Sequence, residues 1–140
     1  MKIVDLNVLL YVVDRNSPHH DVALQWWTMA LASNERIGLT WTVAIGFLRV
    51  ATSPRVFPHP LSAEQALEVL DAWWRHPNVV VARESEDHWS ILRSLLADAG
   101  TAGNLSSDAH LAAIAIGYGA SLVSFDADFG RFQKLRWEKP

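Results

Sequence analysis

Residues 107–132 read SDAHLAAIAIGYGASLVSFDADFGRF, and the reading of this stretch decides the fold. "SDAHLAAIAIGYG" predicts a helix, with Ser106 or Ser107 as its cap and glycines at its end. "ASLVSF" predicts a short buried strand. A helix feeding a short apolar strand is half of the crossover unit from which parallel sheets are built. Just past that strand, Asp126 and Asp128 bracket an alanine. Such a pair either starts a turn or holds a divalent cation, and the choice depends on whether distant acids join it.

The same alternation runs back to the N-terminus. "KIVDL" reads as a buried strand ending at Asp5, with "NVLLYVV" turning into a helix behind it. A second helix is expected to open at Ser17-Pro18, with Ala23, Trp26, Trp27, Ala30 and Leu31 on its apolar side. "RIGLT" is a second strand and "WTVAIGFLRVAT" a helix, followed by the proline-rich connection "SPRVFPHP". "SAEQALEVLDAWWRH" opens with Ser62 and Gln65 at capping-box spacing, and its stripe reads Ala63, Ala66, Leu67, Leu70, Trp74. "NVVVA" is a third strand, "SEDHWSILRSLLADAG" a helix closed by Gly100, and "LRWE" a candidate fifth strand. Four to five short strands alternating with helices predict a three-layer α/β/α sandwich around a parallel sheet. No repeat or linker divides residues 1–140, which form one domain on this reading.

Composition narrows the chemistry. Half of the 140 residues are apolar and seven are tryptophan, enough for a substantial core. The absence of cysteine removes disulfides, thiolate zinc sites and a cysteine nucleophile, and suits the reducing cytoplasm. No apolar run approaches the roughly 20 residues of a membrane span, and the N-terminus lacks a cleavage signal. The formal charge of −3 is opposite to the usual basic footprint of a nucleic-acid protein. Neutralising Asp5, Asp108, Asp126 and Asp128 with metal would reverse it, since −3 + 4 = +1.

Ligands of an open parallel sheet bind beyond the carboxyl ends of its strands. Asp5 ends the first strand, Asp126 and Asp128 follow the fourth, and Asp108 lies in the first turn of the helix before it. Three segments can thus bring acids to one edge. Each acid also has an ordinary structural role: a helix's first turn favours a carboxylate by roughly 0.3–1 kcal/mol without any ligand, and D-x-D alone is a common turn. Asp5 is the hardest to explain so, because a lone carboxylate amid "KIV" and "LNVLLYVV" is costly to bury without a partner. Crowded like charges resist ionisation, whereas Mg²⁺ or Mn²⁺ favours carboxylate oxygens and activates water against a phosphate.

At these residues the chain resembles the PIN domain, and more closely the VapC-type ribonuclease toxins of bacterial toxin–antitoxin pairs. "IVDLNVLLYVVD" is similar to the opening motif, "LTWTVAIGFLRVATSPRVF" to the second, and "DAHLAAIAIGYGASLVSFDADFGRF" to the third and fourth. The resemblance implies a Mg²⁺- or Mn²⁺-dependent endoribonuclease, homodimeric, cutting single-stranded or looped RNA and restrained by a VapB-like antitoxin. It implies Asp5 and Asp108 as principal metal ligands. Asp126 would complete the site or bind a second ion, and Asp128 would assist directly or through water. Asn7 would orient Asp5, Thr40 or Thr42 would offer a hydroxyl to water or phosphate, and Arg49 would reach the RNA backbone or pair with an acid. The sequence departs from the family where the second motif ordinarily carries a glutamate: "VAIGFLRV" has Gly46 nearest that place, which puts a two-metal mechanism in doubt.

Two other readings remain open. A PIN-like module without the glutamate would bind RNA or protein and not cut. A phosphatase of the haloacid-dehalogenase kind would use Asp5 as nucleophile, but expects an acid where Asn7 stands. The six histidines look isolated: His88 is single, and His110 is two positions past Asp108, off its helix face. Adjacent helix residues point about 100° apart, so one member of Trp26-Trp27 and of Trp73-Trp74 is expected at the core margin or in an interface. Arg131, Lys134, Arg136 and Lys139 form a basic tail suited to guiding phosphates or to plain solvation.

Overall fold

A computed structural model describes residues 1–140. The chain runs β1 (Lys2–Val4), α1 (Leu6–Val13), α2 (His20–Ala32), β2 (Ile37–Leu39), α3 (Trp41–Ala51), α4 (Ala63–Trp74) and β3 (Val79–Val81). It continues through α5 (His88–Ala99), α6 (Leu105–Gly117), β4 (Ser121–Val123), a 3₁₀ turn (Ala127–Arg131) and β5 (Arg136–Glu138). The five strands pair in the order β3-β2-β1-β4-β5, every neighbour parallel. The sheet and both sets of crossovers agree with the sandwich expected from sequence.

The chain steps outward from β1 to β3, then returns past β1 to β4 and β5. Right-handed crossovers in opposite directions lie on opposite faces. Accordingly α1 packs on α2 and α3, α3 on α4, and α5 on α6. The sheet interior is dry: Ile3, Val4, Leu39, Leu122 and Val123 are fully buried. Strand order reverses beside β1, so the crevice beyond the carboxyl ends of β1 and β4 is the topological switch point, where parallel sheets place ligands.

Several boundaries differ from the sequence reading. Helix α2 begins at His20, not at Ser17-Pro18. The Ser17 hydroxyl accepts from the His19 N–H at 3.1 Å, and the Ser17 carbonyl accepts from His20, so Ser17 makes a separate turn before the helix. Helix α5 starts at His88, after a turn. Helix α6 starts at Leu105, two to three residues before a cap at Ser106 or Ser107 would begin it, because Leu105 is buried and draws the helix back. Helix α4 has the expected Ser62–Gln65 capping box, but its inner face is Ala66, Leu70 and Trp73, with Leu67 half exposed. The face is rotated because Trp73 meets Trp27 and Phe47, with ring centroids 5.2 and 5.1 Å away. Trp27 and Trp73 therefore occupy the core, while Trp26 and Trp74 lie at its margin. Gly100 closes α5 at φ 68°, a left-handed cap that favours glycine.

Candidate metal and phosphate site

Two backbone ends meet at the switch point. The Asp5 N–H donates to the Val123 carbonyl at 3.0 Å, fixing the exit of β1 against the end of β4. Asp5 caps α1, and its Oδ1 accepts from the Leu6 N–H at 2.7 Å. Its Oδ2 accepts from the Ser124 hydroxyl at 2.6 Å. The same Ser124 oxygen accepts from Asn7 Nδ2 at 2.9 Å and from the Asp126 N–H at 3.0 Å. Asn7 Oδ1 in turn accepts from the Phe125 N–H at 3.2 Å. Ser124 is fully buried, and these three bonds use its one hydrogen and both lone pairs.

Sequence reasoning missed Ser124. It expected Asn7 to orient Asp5, and Asn7 does so only through this hydroxyl. The available signal was a polar residue closing an apolar strand directly before two acids. Asp126 is exposed and accepts from the Asp128 N–H at 2.8 Å, so the pair makes the turn that a D-x-D element commonly makes. Asp128 is also exposed, with Arg131 Nε at 4.0 Å.

Asp108 faces this group from α6. Its carboxyl is pushed up to about 6, first by burial and then by the charges of Asp5, Asp126 and Asp128. Asp5 is also raised, chiefly by burial and further by Asp126, while its bonds from Ser124 and Leu6 pull the other way. The four acids thus share one electrostatic field, contributed by three segments of the chain. Asp5 and Asp108 also share a cleft of about 220 Å³, walled on its α3 side by Thr42, Gly46 and Arg49 and on its α6 side by His110. Asp126 and Asp128 do not line that cleft.

The α3 wall resolves the remaining residues. Thr40 caps α3: its buried hydroxyl accepts from the Val43 N–H at 3.1 Å, so it supports the wall and does not face the cleft. Thr42 does face it. Arg49 lines the cleft without an ion pair to any carboxylate. A Cβ on Gly46 would lie 3.0 Å from Leu6 Cδ2, so a side chain there requires Leu6 to give way. The basic tail divides: Arg136 donates to the Gly119 carbonyl, and Arg131 lies beside Asp128.

The donor set is carboxylate and hydroxyl oxygen, which suits a hard divalent cation. No three His, Asp or Glu side chains close on a single point as placed. A Mg²⁺ ion does not require that, since it commonly takes one or two carboxylates and keeps several waters. The raised carboxyls agree with this, because a cation here would offset both the burial that chiefly raises them and the smaller repulsion from neighbouring acids.

One expectation about histidine is overturned. His88 does not stand singly: its Nε2 lies 2.9 Å from Nδ1 of His110, across α5 and α6. His110 also lines the cleft with Asp108, although the two are two positions apart on α6.

The profile of the PIN domain family matches residues 2–135. Ribonuclease VapC37 of Mycobacterium tuberculosis is 44% identical to this chain over 140 residues, covering 100% of it and 97% of the relative. Ribonuclease VapC33 of the same species is 41% identical, covering 100% and 98%. Among solved structures, M. tuberculosis VapC20, described as a sarcin-ricin-loop-cleaving toxin, superposes with a TM-score of 0.70 at 16% identity, covering 97% of this chain and 99% of that one. VapBC2 of Rickettsia felis, solved on a promoter DNA fragment, gives 0.70 at 19% identity, covering 99% and 97%. At these identities the superpositions establish the fold alone. The full-length relatives establish more: this chain belongs to the PIN-domain family and, within it, to the VapC ribonucleases.

Proposed function

We propose that this protein is the toxin of a toxin–antitoxin pair and hydrolyses RNA phosphodiester bonds with a divalent cation, Mg²⁺ or Mn²⁺. The observation that carries this reading is the shared field of Asp5, Asp108, Asp126 and Asp128 at the switch point, with Asp5 and Asp108 raised above the ordinary carboxylate range. Asp5 and Asp108 hold the ion, Asp126 completes its surroundings and Asp128 acts through water. When bound, the ion supplies Lewis acidity towards water and phosphate oxygens.

The chain's own residues do the rest. Ser124 and Asn7 hold Asp5 in one orientation. Arg49, unpaired in the cleft, receives the RNA backbone, and Thr40 stiffens the wall that carries Thr42. Gly46 offers no acid, which favours one ion over two. The partner is a VapB-like antitoxin, in line with the VapBC complexes of similar fold. The toxin acts as a homodimer in the cytoplasm, and no helix is long and apolar enough to cross a membrane.

Gly46 is also what favours the second reading, a PIN-like module that binds RNA or a protein partner and does not cut. Purified protein incubated with a mixed RNA pool in Mg²⁺ separates the two. The nuclease reading expects cutting that EDTA stops and that Asp5→Asn abolishes. Folded, antitoxin-free protein that leaves the pool intact would move the assignment to the binding module.

A further inference from the structure

The histidine pair lies outside the carboxylate set yet reaches into the same cleft. His88 Nε2 is 2.9 Å from His110 Nδ1, and His110 Nε2 is 3.3 Å from the Thr42 hydroxyl across the cleft. His110 Nε2 also has Glu84 Oε1 at 3.7 Å. A chain of polar groups therefore runs from α5 through α6 to the α3 wall, ending beside Arg49 and Asp108.

A neutral imidazole carries one N–H, so the bond between the rings can run in either direction. If His110 donated from Nδ1, His88 would carry its own hydrogen on Nδ1. That atom is buried and has no partner. Buried N–H groups without an acceptor are rarer than acceptors left short of a donor. The favoured direction has His88 donating from Nε2 to His110 Nδ1. His110 must then carry its hydrogen on Nε2, the nitrogen that faces Thr42 and the cleft. Burial, then the neighbouring His110, lowers His88 from the ordinary histidine value against the opposing pull of Glu84, which favours its neutral form.

We propose that His110, held in this tautomer by His88, donates its Nε2 hydrogen to a phosphate oxygen of the RNA in the acid cleft, so that His110 is a substrate-binding residue and His88 a positioning residue. The inference rests on the RNA-directed reading of the cleft. It adds an N–H donor on the α6 side, opposite Arg49 on α3. The two would grip a phosphate from both walls while the carboxylates stand between them. The arrangement needs no glutamate at position 46, because neither donor comes from that position.

The test uses the full chain carrying Asp5→Asn, so that bound RNA is not consumed. A short fluorescent single-stranded RNA is titrated by anisotropy at fixed low salt. His110→Ala should weaken binding about fivefold to tenfold, the loss of roughly one good hydrogen bond. His88→Leu should weaken it similarly, while His88→Gln, which keeps an N–H donor for His110, should stay within about twofold. Ring-nitrogen NMR of the ¹⁵N-labelled protein, with the two rings assigned through His88→Gln and His110→Gln, should find both hydrogens on Nε2. That readout does not depend on RNA or on the alanine form folding. Unchanged affinity in folded His110→Ala, or a hydrogen on Nδ1 of His110, would overturn the proposal. Persistent cutting by the Asp5→Asn protein would defeat the metal-nuclease assignment separately, and the ring-nitrogen NMR, which needs no RNA, would still report on His110.

Discussion

The two halves of the acid edge are built differently. On the β1 side, Asp5 sits in a closed network with Ser124, Asn7 and three backbone N–H groups, those of Leu6, Phe125 and Asp126. On the 3₁₀ side, Asp126 and Asp128 are exposed, and the contacts that hold them are a turn and a distant arginine. Asp108 belongs with the first half by its raised carboxyl, although its element is neither β1 nor β4. The contrast teaches that equal residue type and equal proximity do not make equal ligands. A carboxylate fixed in direction and kept from water gains most from a cation, whereas an exposed one already has solvent.

Neutralising the acids with raised carboxyls should have the largest effect. Asp108→Asn, like Asp5→Asn, is expected to reduce RNA cleavage by at least about a hundredfold, the order of magnitude lost with one group acting directly in the chemistry. It should leave circular dichroism unchanged. Retention of more than half the activity by the folded Asp108 variant would erase the distinction between the halves.

Breaking the network without touching an acid comes next. Ser124→Ala leaves Asp5 Oδ2, Asn7 Nδ2 and the Asp126 N–H short of a partner in a buried place. The expected loss is about 1–3 kcal/mol of stability with a marked fall in cleavage. Chemical denaturation reads the first and an RNA assay the second. An unchanged midpoint would mean that the hydroxyl does not organise the site.

The pH response sharpens the comparison further. Asp5 and Asp108 have folded pKa values above the unfolded value, so their contribution to stability is fully present below about pH 4 and lost as pH rises through about 6 for Asp108. Metal-free protein should therefore show a downward trend in Tm across that window that Asp108→Asn flattens. Divalent-ion affinity should move the other way, falling as pH drops through about 6. Identical Tm-versus-pH curves for wild type and Asp108→Asn in EDTA would contradict the raised carboxyl. The smallest effect belongs to Asp128→Asn, about threefold or less in cleavage, because the group is exposed and weakly paired. A loss as deep as that of Asp108→Asn would place Asp128 among the direct ligands.

The sheet was readable because short apolar runs such as "NVVVA" and "ASLVSF" have few alternatives between helices. The gathering of Asp5, Asp108, Asp126 and Asp128 at one edge was expected because three follow strand ends and Asp108 opens the helix that precedes the fourth strand. Four features were not readable in full, for different physical reasons. Which of Trp73 and Trp74 turns inward is decided by Trp27 and Phe47, distant in sequence. The start of α6 is set by burial of Leu105, which outweighs the capping preference of Ser106 and Ser107. Ser124's bonds and the His88–His110 contact depend on segments meeting across the sheet edge and across two helices; the local pattern marks Ser124 only as a polar residue closing an apolar strand, and the histidine contact not at all.

Mn²⁺ binding followed by electron paramagnetic resonance tests the central claim most directly, because it reads the cation without requiring the right RNA. Wild-type protein at pH 7.5 should take up the ion. The Asp5→Asn/Asp108→Asn form should lose most of that affinity, and Asp126→Asn/Asp128→Asn should lose less. Equal uptake by wild type and the Asp5/Asp108 double variant would contradict the account.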